Sequence, residues 1–155
     1  MKNILFILLL CQSIWASPTP SIIETRAKAL FVDKPATISI NQIQFSEQGW
    51  QNWRKTLESS DYFAQLEKHH IQVATNFLGV ESITEKEGGW EAKARLMVNY
   101  ANDVYYKAMF YDITLHLIPK DNDFVIDRYE LNQYAEPNQG RQIPKCELKD
   151  LSQAA

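Results

Sequence analysis

The stretch from Gly88 to Ile118 constrains this chain more than any other, because it carries two long runs of period-2 alternation separated by turn-forming residues. From Trp90 to Tyr100, the residues Trp90, Ala92, Ala94, Leu96, Val98 and Tyr100 alternate with Glu91, Lys93, Arg95 and Asn99. Successive side chains of a strand point to opposite faces, so this run has one dry face and one charged face. Asn102-Asp103 tolerates left-handed turn geometry, and from Tyr105 the β-forming run resumes with Met109, Tyr111, Ile113, Leu115 and Leu117 in the same alternation. The two runs predict an antiparallel hairpin. Gly88-Gly89 is a second turn that folds Val80–Glu87 back onto the Trp90 strand, and Pro119–Asp123 leads into a last strand, Phe124–Tyr134. About four consecutive antiparallel strands are expected.

Helical signals fill the chain ahead of the sheet. Ser21 and Glu24 have capping-box spacing, and Ile23, Ala27, Leu30 and Phe31 follow at helical intervals until Pro35. Ile38, Ile40, Ile43 and Phe45 are too irregularly spaced for a helix and predict an extended crossing segment. Ser46 is a second N-cap, with Glu47 at the positive helix end and Phe45 placed to staple onto Trp50. Trp50, Trp53 and Leu57 then form one apolar stripe, which as large aromatics suits a core better than a ligand box. Ser59-Ser60-Asp61 breaks that helix and caps another, which carries Phe63 and Leu66 inward and ends near His69-His70. Ile71–Phe77 alternates again, as an edge or lead-in strand. The fold class expected is α+β, with the helices packed on a curved antiparallel sheet.

The 155 residues suffice for one packed domain. Its ends differ from its middle. Lys2, an apolar run from Ile4 to Leu10 and small residues at Ala16-Ser17 have the pattern of a secretory signal, and the run is shorter than the roughly 20 residues that span a bilayer. Cleavage after Ala16 is favoured, since cutting after Ser17 would place Pro18 at the scissile bond. The expected organisation is therefore a signal over 1–16, a domain over 17–135 and a flexible tail over 136–155, where Pro, Gly and Asn replace periodicity. Leu10 before Cys11 is too bulky for lipid attachment. Loss of the signal leaves Cys146 as a single thiol, either idle or available to pair between chains. The formal net charge is −3 with no basic run, which argues against nucleic acid or an anionic membrane as partner.

Chemistry-bearing motifs are absent: there is no phosphate-binding glycine loop, no nucleophile elbow and no Cys-x-x-Cys pair. Adjacent His69 and His70 diverge on a helix or a strand, so a solvated pair is expected rather than a metal site. Asp112 and His116 share a strand face about 13 Å apart, too far for direct proton relay. Asp112 lies mid-strand among aromatics, where burial would raise its pKa toward that of a general base; alternatively it faces Lys93 or Arg95 across the hairpin. No catalytic, cofactor-binding or metal-ligating residues are assigned, and no cofactor is expected.

The order of elements is similar to the cone-shaped nuclear-transport-factor-like fold. A narrower resemblance lies in Phe45-Ser-Glu-Gln-Gly49-Trp50, then Leu57 and Ser59-Ser60, then Gly89-Trp90 with Val98 and Tyr100 beyond. These residues resemble the periplasmic domain of the IcmL/DotI family of the Dot/Icm-type IVB secretion apparatus in Gram-negative bacteria, over roughly Glu24–Tyr134. The resemblance implies a non-enzymatic assembly component with envelope or secretion-system proteins as partners, and self-association is left open. Core members of that family are held in the inner membrane by a spanning helix. Here a signal-like segment precedes the domain, which implies a periplasmic or secreted relative with no membrane span after cleavage. The alternative is a small-ligand-binding or enzymatic cone, with Asp112 as base and Tyr105, Tyr111 or Trp90 as cavity walls.

Overall fold

The computed structural model describes residues 16–134. The expected signal segment up to Trp15, the expected tail and both cysteines lie outside the described residues. Four helices precede four strands: α1 (Pro20–Ala29), α2 (Ile38–Asn41), α3 (Glu47–Ser59) and α4 (Tyr62–Lys68), then β1 (Gln72–Lys86), β2 (Gly89–Ala101), β3 (Tyr106–Lys120) and β4 (Asp123–Tyr134). The strands form one antiparallel sheet in sequential order, as the alternation predicts. The dry faces of β2 and β3 are those read from the sequence: Ala92, Ala94, Leu96, Val98, Ile113, Leu115 and Leu117 are all buried, packed with Ile23, Ala27 and Trp53 from the helices.

Three local expectations are corrected. Helix α1 is capped by Thr19, whose hydroxyl accepts from the Ile22 N–H at 3.4 Å, and not by Ser21. Pro20 takes the first helical position, where a missing N–H costs nothing, and the helix stops at Ala29, well short of Pro35. The segment expected to be extended is instead a chain of short helical turns, Pro35–Thr37 and Gln42–Gln44 in 3-10 form on either side of α2. Its apolar residues fall on different sides, Ile38 packing inward while Ile40 and Ile43 stay outside, which defeats any periodic signal. Ile71–Phe77 and Val80–Glu87 are not two strands but parts of the single strand β1. Bulges at Leu78 and Glu81 each add one residue, so Val73, Thr75, Phe77, Val80 and Ile83 share a face despite the broken period.

Arg26 ties the helical layer to the sheet. It is 6% exposed, and its guanidinium donates to the Phe124 carbonyl at 2.6 Å, to the Asp123 carboxylate at 2.7 Å and to the Gln44 side-chain amide oxygen. A buried charge is tolerated when its donors are satisfied in this way.

Candidate functional site

In the run Phe45–Trp50, which carries the resemblance, Phe45, Gly49 and Trp50 turn inward while Glu47 and Gln48 stay exposed. Ser46 is the N-cap of α3 as expected: its hydroxyl accepts from the Gly49 N–H at 3.0 Å and donates to Asp127 at 2.8 Å. Asp127 is the extra residue of a bulge in β4, between the pairs Leu117–Ile126 and His116–Arg128. Phe45 is buried and bridges to Ile126 in parallel, with the Ser46 N–H bonded to the Ile126 carbonyl at 2.9 Å. Its ring lies 6.0 Å from Trp50, the expected staple, and 5.0 Å from Trp53. Trp50 and Trp53 are 8% and 1% exposed, and the Trp53 indole donates to the Leu30 carbonyl at 3.2 Å. Gly49 is required because a Cβ there would collide with the Ile126 carbonyl.

The solvent-facing side of the sheet carries the charges. Asp112 pairs with Arg95 in register, and the Arg95 Nε lies 3.1 Å from its carboxylate and 2.8 Å from Glu81, which the β1 bulge releases toward it. The hydrogen bond to Asp112, and then the charge of Glu81, favour the protonated Arg95 still further. Asp112 is therefore half-exposed and ion-paired. Tyr111 and Trp90 belong to the opposite, helix-covered face, so they do not wall a cavity around Asp112. Tyr105 sits in the β2–β3 turn, its carbonyl accepting from the Asn102 N–H. His116 lies 3.9 Å from Glu91 and on the same outer side as Arg128.

Beneath α4 there is a cluster that periodicity did not single out. Tyr62 of α4 meets Tyr100 of β2 and Tyr111 of β3. Burial pushes the Tyr62 hydroxyl up to about 12 and raises Tyr100 and Tyr111 as well. The Tyr62 oxygen is enclosed without a well-aligned hydrogen bond, although Tyr100 is near enough to favour its ionised form slightly. The Tyr111 hydroxyl approaches the Met109 sulfur at 3.7 Å, and its ring packs 5.3 Å from Phe31. Three phenols held neutral beside one another offer hydrogen bonds but no base. Tyr100 and Tyr111 were legible beforehand as inward residues of the two alternating strands, whereas Tyr62 was not.

The histidines do not converge. The His69 carbonyl accepts from the Asn102 side-chain amide at 2.7 Å, and His70 takes a left-handed backbone conformation with φ of 52°. With Gln72, Ala101, Asn102 and Asp103, His70 lines an open cleft of about 360 Å³ at the end of the sheet. Among the described residues no three His, Cys, Asp or Glu side chains come together in a metal-binding arrangement.

No family model and no curated protein sequence matches the chain. Solved structures do. An IcmL-like type IV secretion system protein from Legionella pneumophila superposes with a TM-score of 0.65 at 18% identity, covering 80% of this chain and 99% of that one. The periplasmic domain of DotI gives 0.60 at 12% identity, covering 72% and 91%, and a periplasmic fragment of TraM gives 0.55 at 13%, covering 74% and 94%. At these identities the likeness is one of fold, and it is the α+β fold that the Phe45–Trp50 resemblance implied.

Proposed function

We propose that the chain is an exported domain of the bacterial envelope that works through protein–protein contacts in or beside a type IV secretion apparatus. The observation that carries this is the match in extent: the secretion-system domains it resembles are covered almost end to end, not through a shared hairpin or helix pair. Fold alone does not assign function, so the site chemistry bears on the choice. Asp112 is neutralised by Arg95 on an open face, the phenols under α4 are held neutral, and neither group has a nucleophile beside a base. The described helices include none long and apolar enough to cross a membrane. In this proposal residues 1–16 are a signal removed on export, 17–135 the working domain and 136–155 a tail. Fractionation of cells making the full chain, with mass spectrometry of the recovered N-terminus, tests it. The protein should be periplasmic or secreted and begin at Ser17. Recovery from the cytoplasm with Met1 to Ala16 retained would remove the basis for an envelope role.

A further inference from the structure

Strand β4 lies at one side of the sheet, and its two halves are covered differently. Near its start, Phe45 bridges to Ile126 and the Ser46 N–H bonds the Ile126 carbonyl, which closes the edge there. From Arg128 to Gln133, β4 pairs residue for residue with β3, and no other segment among the described residues pairs with its far side. Unpaired N–H and C=O groups along an edge are a template for another strand, and edges are commonly blunted by bulges, lysine or proline. The opposite edge, β1, carries two bulges, whereas Arg128–Gln133 has no bulge, no lysine and no proline. The helical layer also stops short of this run. Leu131 and Gln133 lie on the helix-covered side of the sheet, yet both are exposed, Leu131 at 36%.

This run fits its own image in one register. When a twofold axis normal to the sheet joins two edges antiparallel, every side chain keeps its face, so opposed residues share parity and the axis passes through a residue. An axis at Arg128 or Tyr129 would bring the second copy's strand onto Ile126, where Phe45 and Ser46 already lie. One at Glu130 would set two carboxylates directly opposite, and one at Asn132 or Gln133 would shorten the overlap and move Leu131 off its own image. An axis at Leu131 avoids all of these. Leu131 then meets Leu131 of the second copy, Glu130 meets Asn132, Tyr129 meets Gln133 and Arg128 meets Tyr134, so no like charges are opposed. We propose that the Arg128–Gln133 edge of β4 pairs antiparallel with the same edge of a second copy, about a twofold axis at Leu131, to make one continuous sheet. A contact confined to one short strand edge falls below the roughly 800 Å² per partner of a standard interface, so it is weak and depends on concentration.

Sedimentation velocity on the purified full chain, from roughly 1 μM to 1 mM, needs no secretion-system partner and so tests this independently of the envelope role. The parent should pass from monomer to dimer across that range. Leu131→Glu and Leu131→Lys should each weaken dimerisation at least about tenfold. Mixing the two variants should restore association, because an axis at Leu131 sets their opposite charges face to face. Asn132→Lys should tighten the dimer about two- to tenfold by facing Glu130 of the second copy, a gain that misfolding cannot mimic. A parent that stays monomeric throughout, a dimer indifferent to these variants, or a mixture that fails to associate would overturn the proposal.

Discussion

Gly49 illustrates how a residue can be visible in the sequence while its reason is not. Phe45, Ser46 and Trp50 announce themselves as staple, cap and stripe, because their partners lie within one helical turn. Gly49 is demanded by the carbonyl of Ile126, far along the chain, and no local pattern could reveal that. The same holds for Arg26, whose partners Gln44, Asp123 and Phe124 belong to other elements. Phe45, Ser46, Gly49 and Trp50 are used for internal contacts, so these residues of the motif behind the resemblance mark a way of packing α3 on β4. Trp50→Ala should then remove the staple and core packing at once, at a cost of about 3–5 kcal/mol out of the roughly 5–15 kcal/mol that stabilises such a domain. Thermal unfolding followed by circular dichroism should show a fall of roughly 10–20 °C. A variant that melts within a couple of degrees of the parent while losing only partner binding would make Trp50 a surface hot spot.

At the level of elements, β2 and β3 were legible because strict alternation survives wherever a strand runs straight with one face covered. Strand β1 was split in the sequence for a physical reason: the bulges at Leu78 and Glu81 interrupt the period while preserving the face. The turns between α1 and α3 were illegible, since their conformation is imposed by side-chain bonds to α1 and their isoleucines face two ways. Helix α4 was found by its breaker, but not its mode of docking. Asp61 occupies the N-cap position in a left-handed conformation with φ of 51° and makes no side-chain cap, so α4 is held by Leu66, Phe63 and the phenol of Tyr62. That docking has a pH signature. Tyr62 is raised from its ordinary value of 10.0 to about 12 in the folded protein, which means the unfolded chain releases this proton first. The stability it reflects is intact below pH 10 and declines between pH 10 and about 12, and Tyr100 and Tyr111 shift in the same direction. Denaturant midpoints measured across that window should fall less steeply for Tyr62→Phe than for the parent. Equal slopes would show that the phenol ionises as freely in the folded protein as in the unfolded chain.

For the whole molecule, the sequence carried the α+β architecture and the sequential antiparallel order, because one helix-covered sheet face was written in alternation and the helices were written in caps. What it could not carry was a site, since the candidates it offered are dispersed by the fold: Asp112 to an ion pair on the open face, His69 and His70 to a turn, and Tyr111 and Trp90 to the covered side. The fold is shared with periplasmic secretion-system domains, and the contact role proposed above is the claim that a measurement must test. The direct measurement is cross-linking in intact cells of the source organism, with the tagged full chain recovered from the envelope fraction and its adducts identified by mass spectrometry. The adducts should contain components of a type IV secretion apparatus and should fall in yield for Trp50→Ala, whose domain is destabilised. Recovery of the exported, folded chain with no such component among its adducts would contradict the account.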